Sequence, residues 1–205
     1  MVRTTESIRA AVEALASRES AFAGVLERHG HPEPRSSPPG ATTLLRTIVG
    51  QQVSVAAARS MWSKVEAAFG SPPALEKLLV ATDEDLRAAG ISRQKAGYIR
   101  SLAQLVTSGE LDLDRLPADD EEAIAHLTKI KGIGRWSAEI YLLFAEGRPD
   151  VWPAGDLAVQ IEIGRLFGLP EKPSEKKVRE LAEGWRPYRG AAAILAWHSY
   201  NSAVL

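Results

Sequence analysis

The stretch "KIKGIGRWSAEIYLLF" (residues 129–144) places two glycines directly before an apolar helical pattern. Gly132 and Gly134 allow a tight turn with positive φ, and neither has a Cβ that would keep a ligand from the backbone. A helix beginning near Arg135 would direct its unpaired N–H groups outward at the positive end of its dipole, which is a binding site for phosphate. The basic residues around the turn are Lys129, Lys131 and Arg135.

Ile133, between the two glycines, can anchor this turn in a core. An amphipathic pattern with Ile124, Leu127 and Ile130 precedes it, so the whole segment of about 119–146 is predicted to be a helix–hairpin–helix. Such a motif suits a DNA backbone because it contacts phosphate and not base sequence. On the pattern alone, a phosphate-binding hairpin and a plain glycine-rich helix corner fit equally well.

Two other polar positions stand at helix ends. Asp156 follows Pro153-Ala154-Gly155 and precedes an apolar helical pattern, where a carboxylate is typical of an N-cap. Gln51 and Gln52 lie between two helical patterns in "IVGQQVS", and by residue type alone they fit a simple polar loop.

The hairpin followed by "WPAGDLAVQ" resembles the HhH-GPD superfamily of DNA base-excision glycosylases, and within it most of all the AlkA-type 3-methyladenine DNA glycosylase II family. The resemblance covers roughly residues 41–203. It is carried by four segments in order: "LLRTIVGQQVSVAAARSMWSKV", "IKGIGRWSAEIYLLF", "PAGDLAV" and "GWRPYRGAAAILAWHSY". It implies two helical lobes with the active-site cleft between them.

The resemblance makes Asp156 the catalytic carboxylate. Breaking an N-glycosidic bond leaves oxocarbenium character on the sugar, and a fixed anion stabilises that charge and orients or deprotonates the attacking water. Trp136 stands where relatives that also cut the DNA backbone carry a lysine nucleophile. The resemblance therefore implies a monofunctional enzyme that leaves an abasic site, without lyase activity.

The resemblance also implies roles for other residues. Trp136 and Trp197 would line the base pocket, where aromatic faces attract a cationic methylated purine. Tyr141 is a further pocket candidate, although core packing fits it at least as well. Gln52, with Gln51 beside it, is the candidate wedge that fills the gap left by a flipped base. The candidate phosphate contacts are Gly132, Ile133, Gly134, Arg135 and Lys131.

The family's hairpin often binds a monovalent cation, Na⁺ or K⁺, and by position its ligands would be the carbonyls of Thr128, Ile130 and Ile133. No other cofactor is expected. The chain has no cysteine, which excludes disulfides, thiolate zinc sites and the iron–sulfur cluster found in one branch of the superfamily. The family often has an aromatic residue where this chain has Ile140, so the substrate range stays open.

The net charge of −1 counts against a nucleic-acid binder, but the charge is uneven. Residues 110–125 hold seven acidic residues and one basic residue, which leaves 24 basic and 19 acidic residues, or +5, elsewhere. We interpret the acidic run as a solvated loop and helix N-terminus, so that a basic face can form on another surface.

Apolar residues recur at helical spacing nearly throughout, which predicts an all-α fold. The predicted helices are 4–16, 20–29, 41–49, 54–69, 73–80, 83–88, 92–108, 119–127, 135–146, 156–168, 174–183 and 188–203. Loops at 29–40 and 146–156 predict two crossings between lobes. One lobe would be 38–148 with the hairpin, and the other 1–37 plus 149–205 with Asp156.

One internal similarity joins two of these connections. Residues 90–96 ("GISRQKA") match residues 132–138 ("GIGRWSA") as G-I-x-R-x-x-A, with Ser92 in place of Gly134. We interpret it as a chance match between two helix–turn–helix connections.

The N-terminus lacks the apolar core of a signal peptide, and no apolar run approaches the ~18 residues of a membrane span. We therefore expect a cytoplasmic bacterial protein that acts at the nucleoid, as a monomer on double-stranded DNA with alkylated bases, and no membrane partner. The favoured substrate is 3-methyladenine, with 7-methylguanine next. The alternatives are a glycosylase for hypoxanthine or 1-methyladenine, a bifunctional glycosylase/lyase, and a non-catalytic DNA-binding or damage-sensing protein.

Overall fold

The computed structural model describes residues 5–204, and within that range the regular structure is helical, with no strand. Two compact units are present. We call Pro38–Tyr141 the hairpin unit, and residues 5–37 together with 142–204 the aspartate unit. The second boundary falls inside a helix, between Tyr141 and Leu142, and not after residue 148.

The hairpin unit is built from short helices joined by tight turns. They are α3 (Ala41–Gly50), α4 (Val55–Phe69), α5 (Leu75–Val80), α6 (Asp83–Ala88), α7 (Arg93–Thr107), α8 (Asp120–Leu127) and most of α9 (Arg135–Phe144). Side-chain N-caps begin several of them. Ser54 caps α4, Thr82 forms a capping box with Asp85 at α6, and Asp119 caps α8.

α7 lies at the centre of this unit, because it contacts α3, α5 and α6. Its buried face pairs Ile99 and Leu102 with small residues, Ala96 and Ala103. Each fully buried aliphatic side chain contributes ~1.5–3 kcal/mol relative to exposure. The other fully buried side chains of the unit include Leu44, Leu45, Ile48, Leu78, Leu86, Leu127 and Ile130.

The aspartate unit contains α1 (Thr5–Ala16), α2 (Ser20–His29), the end of α9, α10 (Leu157–Leu166), α11 (Glu175–Ala182), a 3-10 turn at Glu183–Trp185, and α12 (Arg189–Val204). α12 contacts α1, α2 and α10. It can do so because a run of small buried residues lets its neighbours approach on several sides: Ala191, Ala192, Ala193 and Ala196.

An aromatic cluster completes this core. The Trp185 ring meets Phe22 edge-on, with centroids 5.1 Å apart, and Trp152 in the same manner at 5.5 Å. Phe167 lies 5.3 Å from Trp185. Trp152, in the loop before Asp156, is therefore a core residue that anchors that loop.

The predicted all-α fold is confirmed, and each predicted helical segment contains a helix. The ends differ in places. The hairpin helix ends at Phe144 and not at 146, because Gly147 adopts φ +68 and the N–H of Arg148 turns back to the carbonyl of Leu142 at 3.0 Å. α5 begins at Leu75, after two prolines, and not at 73. No helix between residues 5 and 204 is long and apolar enough to cross a membrane.

Candidate active site

Asp156 stands at the N-terminus of α10, in the aspartate unit. Its Oδ1 accepts hydrogen bonds from the N–H of Val159 at 3.0 Å, which makes it the N-cap, and from the Nε1–H of Trp197 at 3.1 Å. The carboxylate is thus fixed by its own helix and by α12. A fixed anion at a helix N-terminus is also favoured by the dipole.

Buried contacts hold the loop that presents Asp156. The Nε2–H of Gln160 donates to the carbonyl of Ala154 at 2.8 Å, and Gln160 Oε1 accepts from Lys172 Nζ at 2.7 Å. At the start of the loop, Asp150 accepts hydrogen bonds from Arg186 and Arg189. These contacts join the loop to α10, α12 and the segment before α11, so the backbone on both sides of Asp156 is constrained.

A pocket of about 160 Å³ opens beside Trp197 within the aspartate unit. The rings of Trp197 and Phe144 lie 5.7 Å apart and form its aromatic walls. The volume is similar to a roughly 150 Å³ cavity that admits benzene, so the pocket matches a flat ring system and not a whole nucleotide. Other lining residues are Ile8, Glu33, Arg35, Ile194, His198 and Asn201.

The hairpin turn uses its two glycines differently. Gly132 adopts φ +83, and a Cβ there would fall within 3.0 Å of the Tyr98 ring, so the turn needs glycine for its shape and packing. Gly134 has no positive φ, and a Cβ there would meet nothing within 4 Å. Between them, Ile133 is buried and its N–H donates to the carbonyl of Ile130 at 3.0 Å.

The matching turn at residues 90–96 has serine where the hairpin has Gly134, so the two turns can be compared at this position. Gly90 adopts φ +84 and Ile91 is buried, as in the hairpin turn. In that copy, however, the Ser92 side chain caps α7 by accepting the N–H of Lys95 at 3.3 Å. Gly134 has no side chain and so cannot provide a cap of this kind, and the positive end of the α9 dipole favours an anion such as phosphate there.

The Arg135 side chain forms ion pairs within the helix–hairpin–helix. Its guanidinium pairs with both carboxylate oxygens of Glu121 and, through Nε, with Glu139 at 3.0 Å. These carboxylates raise its pKa, chiefly through the Glu121 hydrogen bond. The side chain therefore links α8 to α9, and the role of Arg135 as a phosphate contact stays a prediction. Lys131 is exposed, and its own N–H donates to Ser101 Oγ at 3.1 Å.

The loop with the two glutamines lies next to this turn in the hairpin unit. Gln51 donates from Nε2 to the carbonyl of Gly132 at 2.8 Å. Gln52 is exposed at φ +54, a left-handed conformation that is costly for a residue with a side chain. The two neighbours differ, since Gln51 fastens the loop to the hairpin and Gln52 forms its tip.

A groove of about 930 Å³ runs along this loop and contains Trp136, whose side chain is 46% exposed. The lining residues of the groove include Arg46 and Lys95 and no acidic side chain. Lys95 Nζ donates to the carbonyl of Val49 at 2.7 Å, and burial lowers its pKa. This positively charged, partly aromatic surface suits a nucleic-acid strand.

Tyr141 is 3% exposed, and its hydroxyl accepts the N–H of Gly40 at 2.8 Å, so it lies in the core of the hairpin unit. Its pocket role stays a prediction. The carbonyls of Thr128, Ile130 and Ile133 follow the C-terminus of α8, where the dipole favours cations. Among residues 5–204, no group of three His, Cys, Asp or Glu side chains could hold a metal ion.

Sequence reasoning missed three groups of residues here. Phe144 and Arg35 border the pocket, Lys95 borders the groove, and Gln160 with Lys172 braces the Asp156 loop. Among these residues, only Arg35 lies in a local sequence pattern that indicates a particular backbone structure. Glu33 and Arg35 alternate with prolines in "HPEPR", which indicates a stiff segment but not the ring that it covers.

Comparison with known proteins identifies the family of this chain. The profile of the HhH-GPD superfamily of base excision DNA repair proteins matches residues 45–187. A putative DNA-3-methyladenine glycosylase of Bacillus subtilis is 30% identical over 76% of this chain and 57% of its own length. The DNA-3-methyladenine glycosylase 1 of Schizosaccharomyces pombe is 34% identical over 78% of this chain and 72% of its own. The chain thus spans little more than half of the first relative.

Two solved structures share the fold. The crystal structure of a DNA-3-methyladenine glycosidase from Bacillus halodurans superposes with a TM-score of 0.86 at 33% identity, over 95% of this chain and 90% of that one. The structure of the Schizosaccharomyces pombe 3-methyladenine DNA glycosylase in complex with abasic DNA superposes with a TM-score of 0.79 at 29% identity. The match covers 95% of this chain and 97% of that one. With a family profile that covers most of its length, this chain belongs to the HhH-GPD superfamily of base excision DNA repair proteins.

Proposed function

We propose that this protein is a monofunctional DNA glycosylase that hydrolyses the N-glycosidic bond of alkylated purines in double-stranded DNA. Its main substrate is 3-methyladenine, 7-methylguanine is a second one, and the product is an abasic site. The observation that carries the proposal is Asp156, held by α10 and by Trp197, whose ring is also a wall of the aromatic pocket.

In this mechanism the pocket receives the flipped base while Asp156 faces the sugar. As the bond to the base lengthens, positive charge develops on the sugar, and the fixed carboxylate stabilises it. Asp156 then orients or deprotonates the water that attacks the sugar carbon. A purine already made cationic by methylation leaves readily, so it needs little protonation by the protein.

The hairpin unit binds the DNA backbone. The N-terminus of α9, which follows Gly134, binds a backbone phosphate through its dipole and backbone, with Lys131 as an added charge. Gln52, at the exposed tip of its loop, enters the duplex and fills the gap that the flipped nucleotide leaves. The strained backbone of Gln52 supports this role, because such strain is commonly kept at functional positions.

A monovalent cation fits the carbonyls of Thr128, Ile130 and Ile133, which lie at the negative end of α8. It would supply positive charge next to the bound phosphate. The protein acts as a monomer.

The absence of lyase activity follows from position 136. A lyase needs an amine nucleophile that forms a Schiff base with the sugar, and Trp136 offers none. Lys131 is in the same turn, but its position does not match that of the nucleophile in the bifunctional relatives.

The test is to incubate duplex DNA treated with a methylating agent with the protein and to separate the released bases by chromatography. The expected result is free 3-methyladenine, with strands that stay intact until alkali cleaves the abasic sites. A covalent protein–DNA adduct trapped by borohydride would contradict the monofunctional mechanism. Tight binding without any released base would favour the damage-sensing alternative.

A further inference from the structure

The aromatic pocket beside Trp197 already contains a positive charge. The guanidinium carbon of Arg35 lies 5.6 Å from the centroid of the Phe144 ring, within the range of a cation–π contact. Arg35 and Phe144 both line the pocket. The guanidinium therefore places a positive charge at the wall of the pocket.

The chain holds Arg35 at this place through the backbone. The N–H of Ser37 donates to the carbonyl of Phe144 at 2.9 Å, so the segment is tied to the residue that its arginine covers. Pro32 and Pro34 restrict the backbone just before it. The backbone at Arg35 is therefore restrained close to Phe144.

We propose that Arg35 is a specificity-determining residue. It covers the face of Phe144 that a cationic base would use, and so it shifts the preference of the pocket toward neutral purines such as hypoxanthine. This proposal rests on the proposed function, because it assumes that the pocket receives the flipped base.

The charge of the base is what discriminates. A cationic methylpurine must displace the guanidinium from Phe144 or accept its repulsion, whereas a neutral purine such as hypoxanthine meets no such repulsion and accepts hydrogen bonds from the guanidinium N–H groups. At ~6 Å and effective dielectric constants of ~20–80, Coulomb's law predicts a ~3- to ~100-fold preference. We expect about tenfold.

Glu33 gives a matched test of opposite sign. It lines the same pocket two residues before Arg35 and is also exposed. A carboxylate there attracts a cationic base, so its removal should shift the preference toward the neutral base. Arg28 serves as the control, because it is an exposed arginine of α2 that does not line this pocket.

The experiment compares two duplexes that differ only in one lesion, 7-methylguanine or hypoxanthine. Single-turnover rates of base release are measured for the wild type, Arg35→Gln, Glu33→Gln and Arg28→Gln. The ratio of 7-methylguanine to hypoxanthine release should rise about tenfold in Arg35→Gln, fall in Glu33→Gln and stay unchanged in Arg28→Gln. An unchanged ratio in Arg35→Gln, or a fall of both rates by the same factor, would overturn the proposal.

A second readout separates this proposal from the function on which it rests. A 2′-fluoro substituent opposes positive charge on the sugar and so blocks cleavage, which allows the affinity for each lesion to be measured directly. If the wild type releases neither base, the proposed function fails. The ratio of the two affinities then decides the role of Arg35: a shift toward the cationic lesion in Arg35→Gln supports it, and an unchanged ratio rejects it.

Discussion

Substitution of Gly132 by alanine should destabilise the hairpin unit. The backbone at this position has φ +83, and an added Cβ would fall within 3.0 Å of the ring of Tyr98. The left-handed conformation costs ~1–2 kcal/mol for an alanine. Overpacking against this half-buried ring typically costs a further ~1–3 kcal/mol. We therefore expect Gly132→Ala to lower the free energy of unfolding by about 2–5 kcal/mol.

Thermal unfolding followed by circular dichroism measures this loss. In a protein of this size each kcal/mol shifts Tm by ~2–4 °C, so Tm should fall by about 4–20 °C. A double-mutant cycle with Tyr98→Ala separates the two causes. Without the ring, Gly132→Ala should retain only the conformational cost of ~1–2 kcal/mol. Equal losses with and without the ring would refute the steric part of the reasoning.

Gly134→Ala is the matched control for the same turn. Its backbone has no positive φ and its Cβ would meet nothing within 4 Å, so Tm should stay unchanged or rise slightly. The added methyl would instead stand where the phosphate approaches α9. If it removes one hydrogen bond to a charged group, worth ~1.5–3 kcal/mol, affinity for duplex DNA should fall by ~10- to 100-fold. Unchanged affinity would place the phosphate elsewhere.

Three further substitutions test other parts of the site. Gln52→Gly should raise the free energy of unfolding by ~1–2 kcal/mol, because glycine tolerates φ +54, and should slow base release in single-turnover assays; faster release would exclude the wedge role. Trp197→Phe removes the N–H bound to Asp156, a hydrogen bond worth ~1.5–3 kcal/mol, and should lower kcat more than it raises KM; a change confined to KM would mean that Trp197 only binds the base. Tyr141→Phe leaves the N–H of Gly40 without its acceptor and should cost ~1–3 kcal/mol of stability with base selectivity intact, whereas altered selectivity at full stability would favour the predicted pocket role.

The helices could be predicted from the sequence because their determinants are local. The apolar period is visible in short windows, and caps such as Thr82 and Asp119 stand directly before the helices that they begin. The hairpin turn is local too, since both of its glycines and its buried isoleucine lie within three residues. The different uses of Gly132 and Gly134 were not visible, because Tyr98, which distinguishes them, lies on another helix.

The aromatic pocket beside Trp197 could not be predicted from the sequence. The segment 29–40 has the composition of a linker, and nothing local indicates that Arg35 covers Phe144, a residue more than a hundred positions away. The same distance hides the bond between Gly40 and the Tyr141 hydroxyl. The charge of Arg135 predicts a phosphate contact, and this stays a prediction. The sequence does not show that the Arg135 side chain pairs with Glu121, so that the acidic run neutralises part of the hairpin's own charge.

The most direct test of the central claim is the single-turnover rate of base release by Asp156→Asn. Asparagine is also a good N-cap and its side-chain oxygen can accept the hydrogen bonds from Val159 and Trp197, so the fold and DNA affinity should be retained while the negative charge is lost. We expect release to fall by at least ~10²- to 10³-fold, the usual effect of removing one preorganised electrostatic group. Release within tenfold of the wild-type rate, from a variant with unchanged Tm and DNA affinity, would contradict the assignment of Asp156 as the catalytic carboxylate.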